Sequence, residues 1–82
     1  MTPDQCKAAR ELLGLSMSRL GARSSTSFHM VKTFEQTGRV APLYVRGEWI
    51  DAVAAVRATL EASGIEFTDG PAFGVRMRKQ GS

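Results

Sequence analysis

The sequence has little of the chemistry that catalysis and metal binding require. It contains one cysteine and one histidine, Cys6 and His29. A lone cysteine cannot form an internal disulfide, and neither residue has a companion at metal-ligand spacing. No pair of carboxylates, no cysteine–histidine set and no phosphate-binding glycine loop stands out. These absences argue against an enzyme, and they predict neither a metal site nor a cofactor.

Long hydrophobic runs are also missing. No apolar stretch approaches the roughly 20 residues that a membrane-spanning helix needs. Asp4, Lys7 and Arg10 interrupt the N-terminus where a signal peptide would be apolar. The lone cysteine suits a reducing compartment. We therefore expect a cytoplasmic protein with no membrane partner.

The size and charge of the chain set further bounds. Its 82 residues predict a single domain, 1–82, with a modest core, and domains this small often dimerise. The formal net charge is +3 and the sequence pI is about 9.6. This mild surplus permits nucleic acid as a partner without requiring it.

The N-terminal residues carry a strong helix-start signal. Thr2 is placed to cap the helix, Pro3 suits its first position, and Gln5 can complete a capping box. The helix is predicted to run to about residue 13 and to end at Gly14. Its expected apolar face consists of Cys6, Ala9, Leu12 and Leu13. On that face Cys6 is interpreted as a small core residue and not as a redox group.

Residues 16–35 have the layout of a short helix, a tight turn and a second helix. Ser16 is placed to cap the first helix, and Leu20 is its main apolar residue. Four hydroxyl residues, 24–27, then favour a turn. Val31 and Phe34 form an apolar stripe at helical spacing. The layout is that of a helix-turn-helix, whose recognition helix, about 27–36, can enter a DNA major groove.

The remaining chain combines an ambiguous segment with two clearer patterns. The conformation of residues 40–47 stays open as a whole. Residues 40–42 favour an extended connection, and residues 43–47 form either a short helical turn or an irregular loop that packs Leu43 and Val45 inward. Residues 48–63 predict a long helix that places Trp49 in the core and ends at Gly64. The apolar stripe of this helix consists of Trp49, Val53, Val56 and Leu60.

The alternation over residues 65–78 predicts a C-terminal β-hairpin. Its apolar face would carry Ile65, Phe67, Val75 and Met77. A lone hairpin is marginal in water, so we expect it to pack on the long helix or to contribute to a dimer interface. Which surface dimerises stays open.

Several residues fall in register with a known pattern. They are Arg10, Gly14, Leu15, Ser16, Leu20, Ser27, Val31, Phe34 and Glu35. In this arrangement the chain resembles the lambda-repressor/Cro-like (XRE) helix-turn-helix family of bacterial and phage regulators. The resemblance implies a mostly α fold, namely a lambda-repressor-like domain of four to five helices followed by the hairpin. It also implies a homodimer that binds double-stranded operator DNA and regulates transcription.

The resemblance also implies roles for single residues. Arg10 and Glu35 stand where the family has an internal ion pair, and Ser27 would cap the recognition helix close to a phosphate. Phe28, His29, Lys32 and Thr33 would face the groove. Arginines, among them Arg46, would neutralise phosphate charge. The candidate DNA-binding residues are Met17, Arg23, Ser27, Phe28, His29, Lys32, Thr33 and Arg39.

The chain departs from the family pattern at several positions. Met17 replaces a glutamine that contacts the DNA backbone, Ser25 replaces the turn glycine, and Gly21 replaces a small alanine. Phe28 and Met30 make the start of the recognition helix unusually apolar. An alternative function follows from this apolar patch of Met17, Phe28 and Met30. It is a protein-binding regulator, antiactivator or antitoxin-like, with a protein as its partner.

Overall fold

The computed structural model describes residues 1–68 and 74–77. Within them the chain forms four helices and two antiparallel hairpins. The helices are α1 (Pro3–Leu12), α2 (Met17–Arg23), α3 (Phe28–Thr37) and α4 (Ala52–Ala62), and the strands are β1 (Leu43–Val45), β2 (Glu48–Ile50), β3 (Ile65–Thr68) and β4 (Gly74–Met77). Four helices lie within the predicted number, but the β1–β2 hairpin was not predicted. None of the helices in the described part is long and apolar enough to cross a membrane.

The helix boundaries follow local capping signals. The Thr2 side chain accepts from the Gln5 amide at 3.1 Å, and the Gln5 side chain accepts from the Thr2 amide at 2.8 Å, which confirms the capping box. Ser16 caps α2, and Ser27 caps α3 by accepting from the Met30 amide at 3.2 Å. Gly38 ends α3 in the left-handed conformation. These predictions are confirmed.

The core lies where the four helices meet, and β3 contributes Ile65 to it. It consists of Cys6, Ala9, Leu15, Leu20, Val31, Phe34, Val56, Leu60 and Ile65. The buried position of Cys6 agrees with its interpretation as a core residue. Leu12, which was predicted on the apolar face of α1, is instead exposed, so that part of the prediction is wrong.

The long helix predicted over residues 48–63 begins later than expected. Glu48–Ile50 is a strand, and α4 starts at Ala52 because the Asp51 carboxylate caps it and accepts from the Ala54 amide at 3.1 Å. Trp49 is 71% exposed, so its predicted place in the core is wrong. Its spacing to Val53 matched a helical stripe, but it lies before the cap.

The segment 40–47, which the sequence left open, contains strand β1 and a tight turn. Arg46 and Gly47 have φ values of +51° and +82° and join Val45 to Glu48. Two successive residues with positive φ are typical of a type I′ turn, which matches the twist of paired strands. Leu43 is half-buried, whereas Val45 is exposed, so neither of the two expected conformations is correct.

The C-terminal hairpin has the predicted pairing. Its register places Ile65 opposite Met77, Glu66 opposite Arg76, and Phe67 opposite Val75. Ile65 is buried, and Phe67 and Val75 pack against the core. The connection 69–73 and Arg78, which were also part of the prediction, lie outside the described residues.

Candidate nucleic-acid interface

The close approach of α2 to α3 depends on Gly21. A Cβ atom at this position would lie 2.5 Å from the carbonyl carbon of Ser27 and 2.8 Å from the amide nitrogen of Phe28. These are backbone atoms at the start of α3, and they cannot rotate away. Gly21 therefore allows α2 to approach the start of α3 more closely than a residue with a Cβ could.

The turn between these helices is held by hydroxyl groups. The Ser24 Oγ donates to the Leu20 carbonyl at 2.8 Å and lies 2.8 Å from the Thr26 Oγ1. Ser25 has a φ of +59°, a left-handed conformation that a glycine would adopt at lower cost. The run of small hydroxyl residues therefore serves turn geometry, as predicted, and its last member caps α3.

A buried ion pair fixes α3 on α1. The Arg10 Nε lies 3.0 Å from Glu35 Oε2, and the Arg10 Nη2 lies 3.1 Å from Glu35 Oε1, so the contact is bidentate. The Arg10 Nη1 also donates to the Leu15 carbonyl at 3.1 Å. The two side chains are 13% and 5% exposed. Removing one partner of such a pair would leave the other charge buried and unpaired, at a cost of about 3–5 kcal/mol.

The Cys6 thiol belongs to the same cluster. Its Sγ lies 3.6 Å from Glu35 Oε2, within donating distance. Desolvation, reinforced by the Glu35 carboxylate, raises the pKa of Cys6 to about 12. The hydrogen bond to Glu35 also raises the pKa of Arg10. At neutral pH the thiol stays protonated, so Glu35 accepts hydrogen bonds from both Cys6 and Arg10. The negative charge of Glu35 is compensated by the Arg10 guanidinium.

The outer face of α3 points away from the buried Val31 and Phe34. Phe28, Lys32 and Gln36 follow one another at intervals of four residues and are exposed. His29 is exposed on the neighbouring line, and Thr33 is half-buried beside it. The Lys32 Nζ lies 5.8 Å from the centre of the Phe28 ring, a cation–π distance. The face therefore presents one aromatic ring and several hydrogen-bonding groups.

The charge around this face is positive. Residues 16–39 contain a single acidic residue, Glu35, and Arg10 neutralises it within the core. The basic side chains of the same segment are all exposed: Arg19, Arg23, Lys32 and Arg39. Exposed cations without exposed acids give a local field that attracts phosphate.

Thr37 fixes the chain as it leaves α3. Its Oγ1 lies 2.8 Å from the Thr33 carbonyl oxygen and 3.0 Å from the Arg39 carbonyl oxygen, and it accepts from the Arg39 amide at 3.2 Å. The backbone of Arg39 is thereby held close to the end of the outer face. Arg39 is exposed, so its guanidinium can reach a ligand that contacts α3.

The other predicted residues lie in different surroundings. The Ser27 side chain caps α3, and Arg23 is exposed at the end of α2. Met17 is half-buried and packs partly against the core, and Met30 is half-buried as well. The structure thus gathers Phe28, His29, Lys32 and Thr33 on α3 and places Met17 at the margin.

Sequence reasoning missed two features near this face. Gln36 belongs to the outer line of α3, and its spacing of four residues from Lys32 was a signal that could have found it. The β1–β2 hairpin carries an exposed Tyr44–Trp49 pair, whose ring centres are 5.0 Å apart. The turn of this hairpin was not recognisable from the sequence, because Arg46 occupies a position of positive φ that usually carries glycine.

No protein-family model and no curated protein matches this chain. A functional proposal therefore rests on the geometry and charge of the chain's own residues.

Proposed function

We propose that the protein is a sequence-specific regulator of transcription that binds double-stranded DNA. In this proposal the fold is of the lambda-repressor-like helix-turn-helix type, α3 is the recognition helix, and two copies act as a cytoplasmic homodimer. The observation that carries the proposal is the outer face of α3. It combines hydrogen-bonding side chains with surrounding exposed cations, while the one acid of the segment is neutralised in the core.

Each group on this face has a matching partner on a DNA duplex. Lys32 and Gln36 can hydrogen-bond to the edges of guanine and adenine, and the Phe28 ring can contact a thymine methyl group. His29 and Thr33 can donate to base edges or to the groove wall. Arg23 and Arg39 are exposed close to the ends of α2 and α3 and can contact phosphates, which position the helix without reading sequence.

A dimer would let two copies of α3 read half-sites about one DNA turn, roughly 34 Å, apart. Exposed apolar side chains such as Met77 on β4 support self-association. Sedimentation should therefore give twice the monomer mass at micromolar concentration. A monomer at high concentration would remove the dimer from the proposal but would leave DNA binding in place.

The protein-binding alternative rests on the exposure of Phe28, which is 44% accessible. Its supporting surface is smaller than the sequence predicted, because Met17 and Met30 are half-buried. The charged Lys32 side chain also lies over the Phe28 ring, so the apolar surface around Phe28 is not continuous. We therefore favour DNA, and we keep protein binding as the second candidate.

The test is binding to the DNA upstream of the protein's own coding region, over a range of salt concentrations and with competitor DNA. Specific binding should persist with competitor and weaken steeply as salt rises. Lys32→Ala should cost about 1–3 kcal/mol of binding free energy and relax specificity, if Lys32 reads a base. Arg39→Ala should weaken binding to all sequences alike.

The matched control is Lys7→Ala, because Lys7 is an exposed lysine on α1, outside the α2–α3 pair. It should leave affinity unchanged. If the Phe28/His29/Lys32/Thr33 quadruple alanine variant binds like the wild type, the assignment of α3 is wrong. If competitor DNA abolishes all binding, only a weak basic surface is left, and a search for a protein partner of Phe28 comes next.

A further inference from the structure

The β1–β2 hairpin presents large apolar groups that nothing in the described chain covers. Tyr44 and Trp49 face each other across the strands and are 62% and 71% exposed. Their rings are tilted by 59° with centres 5.0 Å apart, so they form one continuous aromatic surface. Side chains alternate across a strand pair, and Glu48 therefore lies on the opposite face of the hairpin.

Both ends of this hairpin lie beside α3. Val40, which precedes β1, and Ala52 and Val53, which follow β2, line one small apolar cavity together with Met30. Met30 is three residues before Thr33, so the two lie on adjacent turns of the same side of α3. The hairpin therefore starts from the flank of α3 that borders its outer face.

The tip of the hairpin carries one exposed arginine, and the acid that follows the turn, Glu48, lies on the face opposite the two rings. Strands of three residues extend about 10 Å from the body, at roughly 3.3 Å per residue. Arg46 occupies the turn and is exposed, and Arg39 is exposed close to the base. Aromatic rings flanked by arginines are the groups that contact nucleic-acid sugars, bases and phosphates.

We propose that the β1–β2 hairpin is a second DNA-contacting element, which lies on the duplex beside the groove that α3 enters. Trp49 and Tyr44 contact deoxyribose and the base edges of the adjacent minor groove, and Arg46 contacts phosphate. This inference rests on the DNA-binding function proposed above. It adds a contact that the α2–α3 pair alone does not supply.

DNA fits this surface better than a second copy of the chain does. A stable protein interface needs about 800 Å² from each partner, whereas two aromatic side chains supply roughly 300–500 Å². Arg39 and Arg46 are exposed at the base and the tip of the hairpin, where phosphates would neutralise them.

Trp49 makes a direct test possible, because it is the only tryptophan in the sequence. Its emission therefore reports on the hairpin alone. The probe is a duplex of about three DNA turns selected by the full-length protein from random sequences. Fluorescein anisotropy of a labelled copy measures binding, and tryptophan emission with acrylamide quenching is followed on an unlabelled copy. We expect quenched emission and reduced acrylamide access at the DNA concentration where anisotropy rises.

Two variants test the contact by affinity. Trp49→Ala should weaken binding about ten-fold, as expected for loss of one ring–nucleotide contact, while the slope of affinity against salt stays the same. Arg46→Gly should lower that slope by about one, since one phosphate contact is lost. Glycine suits the positive φ at this position, so the hairpin is retained. The control is Leu12→Ala, an exposed apolar residue of α1, which should bind as the wild type does.

Three results would overturn the inference, and they differ in what they leave standing. If anisotropy rises while Trp49 emission and quenching stay constant and Trp49→Ala binds normally, the hairpin is not a contact, but the proposed function holds. If no duplex is selected or bound, both fail together. If Trp49 emission shifts with protein concentration in the absence of DNA, the hairpin is an interface between copies.

Discussion

The two hairpins of this protein have similar strand pairing but are held in different ways. In β3–β4, Ile65 is fully buried, and Phe67 and Val75 pack on the core. In β1–β2 the corresponding apolar groups, Tyr44 and Trp49, face solvent. An isolated two-stranded hairpin is marginal in water. The second hairpin obtains its stability from the domain, whereas the first depends on its own turn and ring pair.

Gln5 is the main polar link between β3–β4 and the helices. Its Nε2 donates to the carbonyl oxygens of Thr68 and Gly74, each at 3.1 Å, while its Oε1 caps α1 by accepting from the Thr2 amide. One buried amide thus satisfies the start of α1 and the end of the hairpin at which Thr68 pairs with Gly74. In the described residues no buried side-chain nitrogen or oxygen lacks a hydrogen-bond partner.

Charged side chains contact both faces of β3–β4. The Arg57 guanidinium of α4 lies 5.1 Å from the centre of the Phe67 ring, and Glu66 forms an ion pair with Arg76 at 2.7 Å. Surface pairs of this kind contribute about 0–1 kcal/mol. The difference between the hairpins suggests a division of roles: β3–β4 completes the fold, and β1–β2 is free to contact a ligand.

Truncating one isoleucine in each hairpin should give the largest difference in stability between the two hairpins. Ile65→Ala in β3 should lower the free energy of unfolding by about 2–5 kcal/mol, because it leaves a cavity in the core. Ile50→Ala in β2 should cost about 1 kcal/mol or less, since that side chain is half-buried at the hairpin's base. Urea unfolding of both variants measures the two values. Equal losses would mean that β1–β2 is as much a part of the core as β3–β4.

Gln5→Glu should produce the next largest effect. The carboxylate can still cap α1, but it cannot donate to the Thr68 and Gly74 carbonyls, and the buried charge would face two acceptors. We expect a loss of about 1–3 kcal/mol at neutral pH. Amide hydrogen exchange should accelerate in β3–β4 and not in β1–β2.

The pH dependence of this variant is a further check. Protonation of the introduced carboxylate would restore one donor, so the stability of the variant relative to the wild type should rise as the pH falls through the carboxyl pKa. Gln36→Glu is the matched control, because Gln36 is exposed on α3 and its replacement should leave stability nearly unchanged. A similar loss in both variants would mean that charge alone, and not the lost hydrogen bonds, is responsible.

The parts of the fold that were predictable from the sequence depend on short-range signals. The capping box of Thr2 and Gln5, the caps at Ser16 and Ser27 and the end of α3 at Gly38 all involve neighbouring residues. The pairing of β3 with β4 followed from simple alternation. The Arg10–Glu35 pair is 25 residues apart, and it was accessible only through the family resemblance.

The parts that were missed depend on long-range or unusual geometry. Nothing near Gln5 indicates that its amide donates to carbonyls 63 and 69 residues away. Trp49 continues the spacing of the α4 stripe by coincidence, and the Asp51 cap that excludes it resembled an ordinary surface acid. The outer face of α3 was largely predictable, except for Gln36, but the hairpin beside it was not, because its turn places Arg46 in a conformation that favours glycine.

That turn gives the smallest predicted effect. Arg46→Gly should raise the free energy of unfolding by up to about 1 kcal/mol, because glycine adopts the φ of +51° without strain. Gly47→Ala is the control with the opposite expected sign, because Gly47 has a φ of +82°. No atom lies within 4 Å of an added Cβ, so any decrease in the free energy of unfolding reports backbone strain alone. If the turn holds the first hairpin together, amide exchange in β1–β2 should slow in the first variant and accelerate in the second. Unchanged exchange in both would mean that the Tyr44–Trp49 pair, and not the turn, maintains this hairpin.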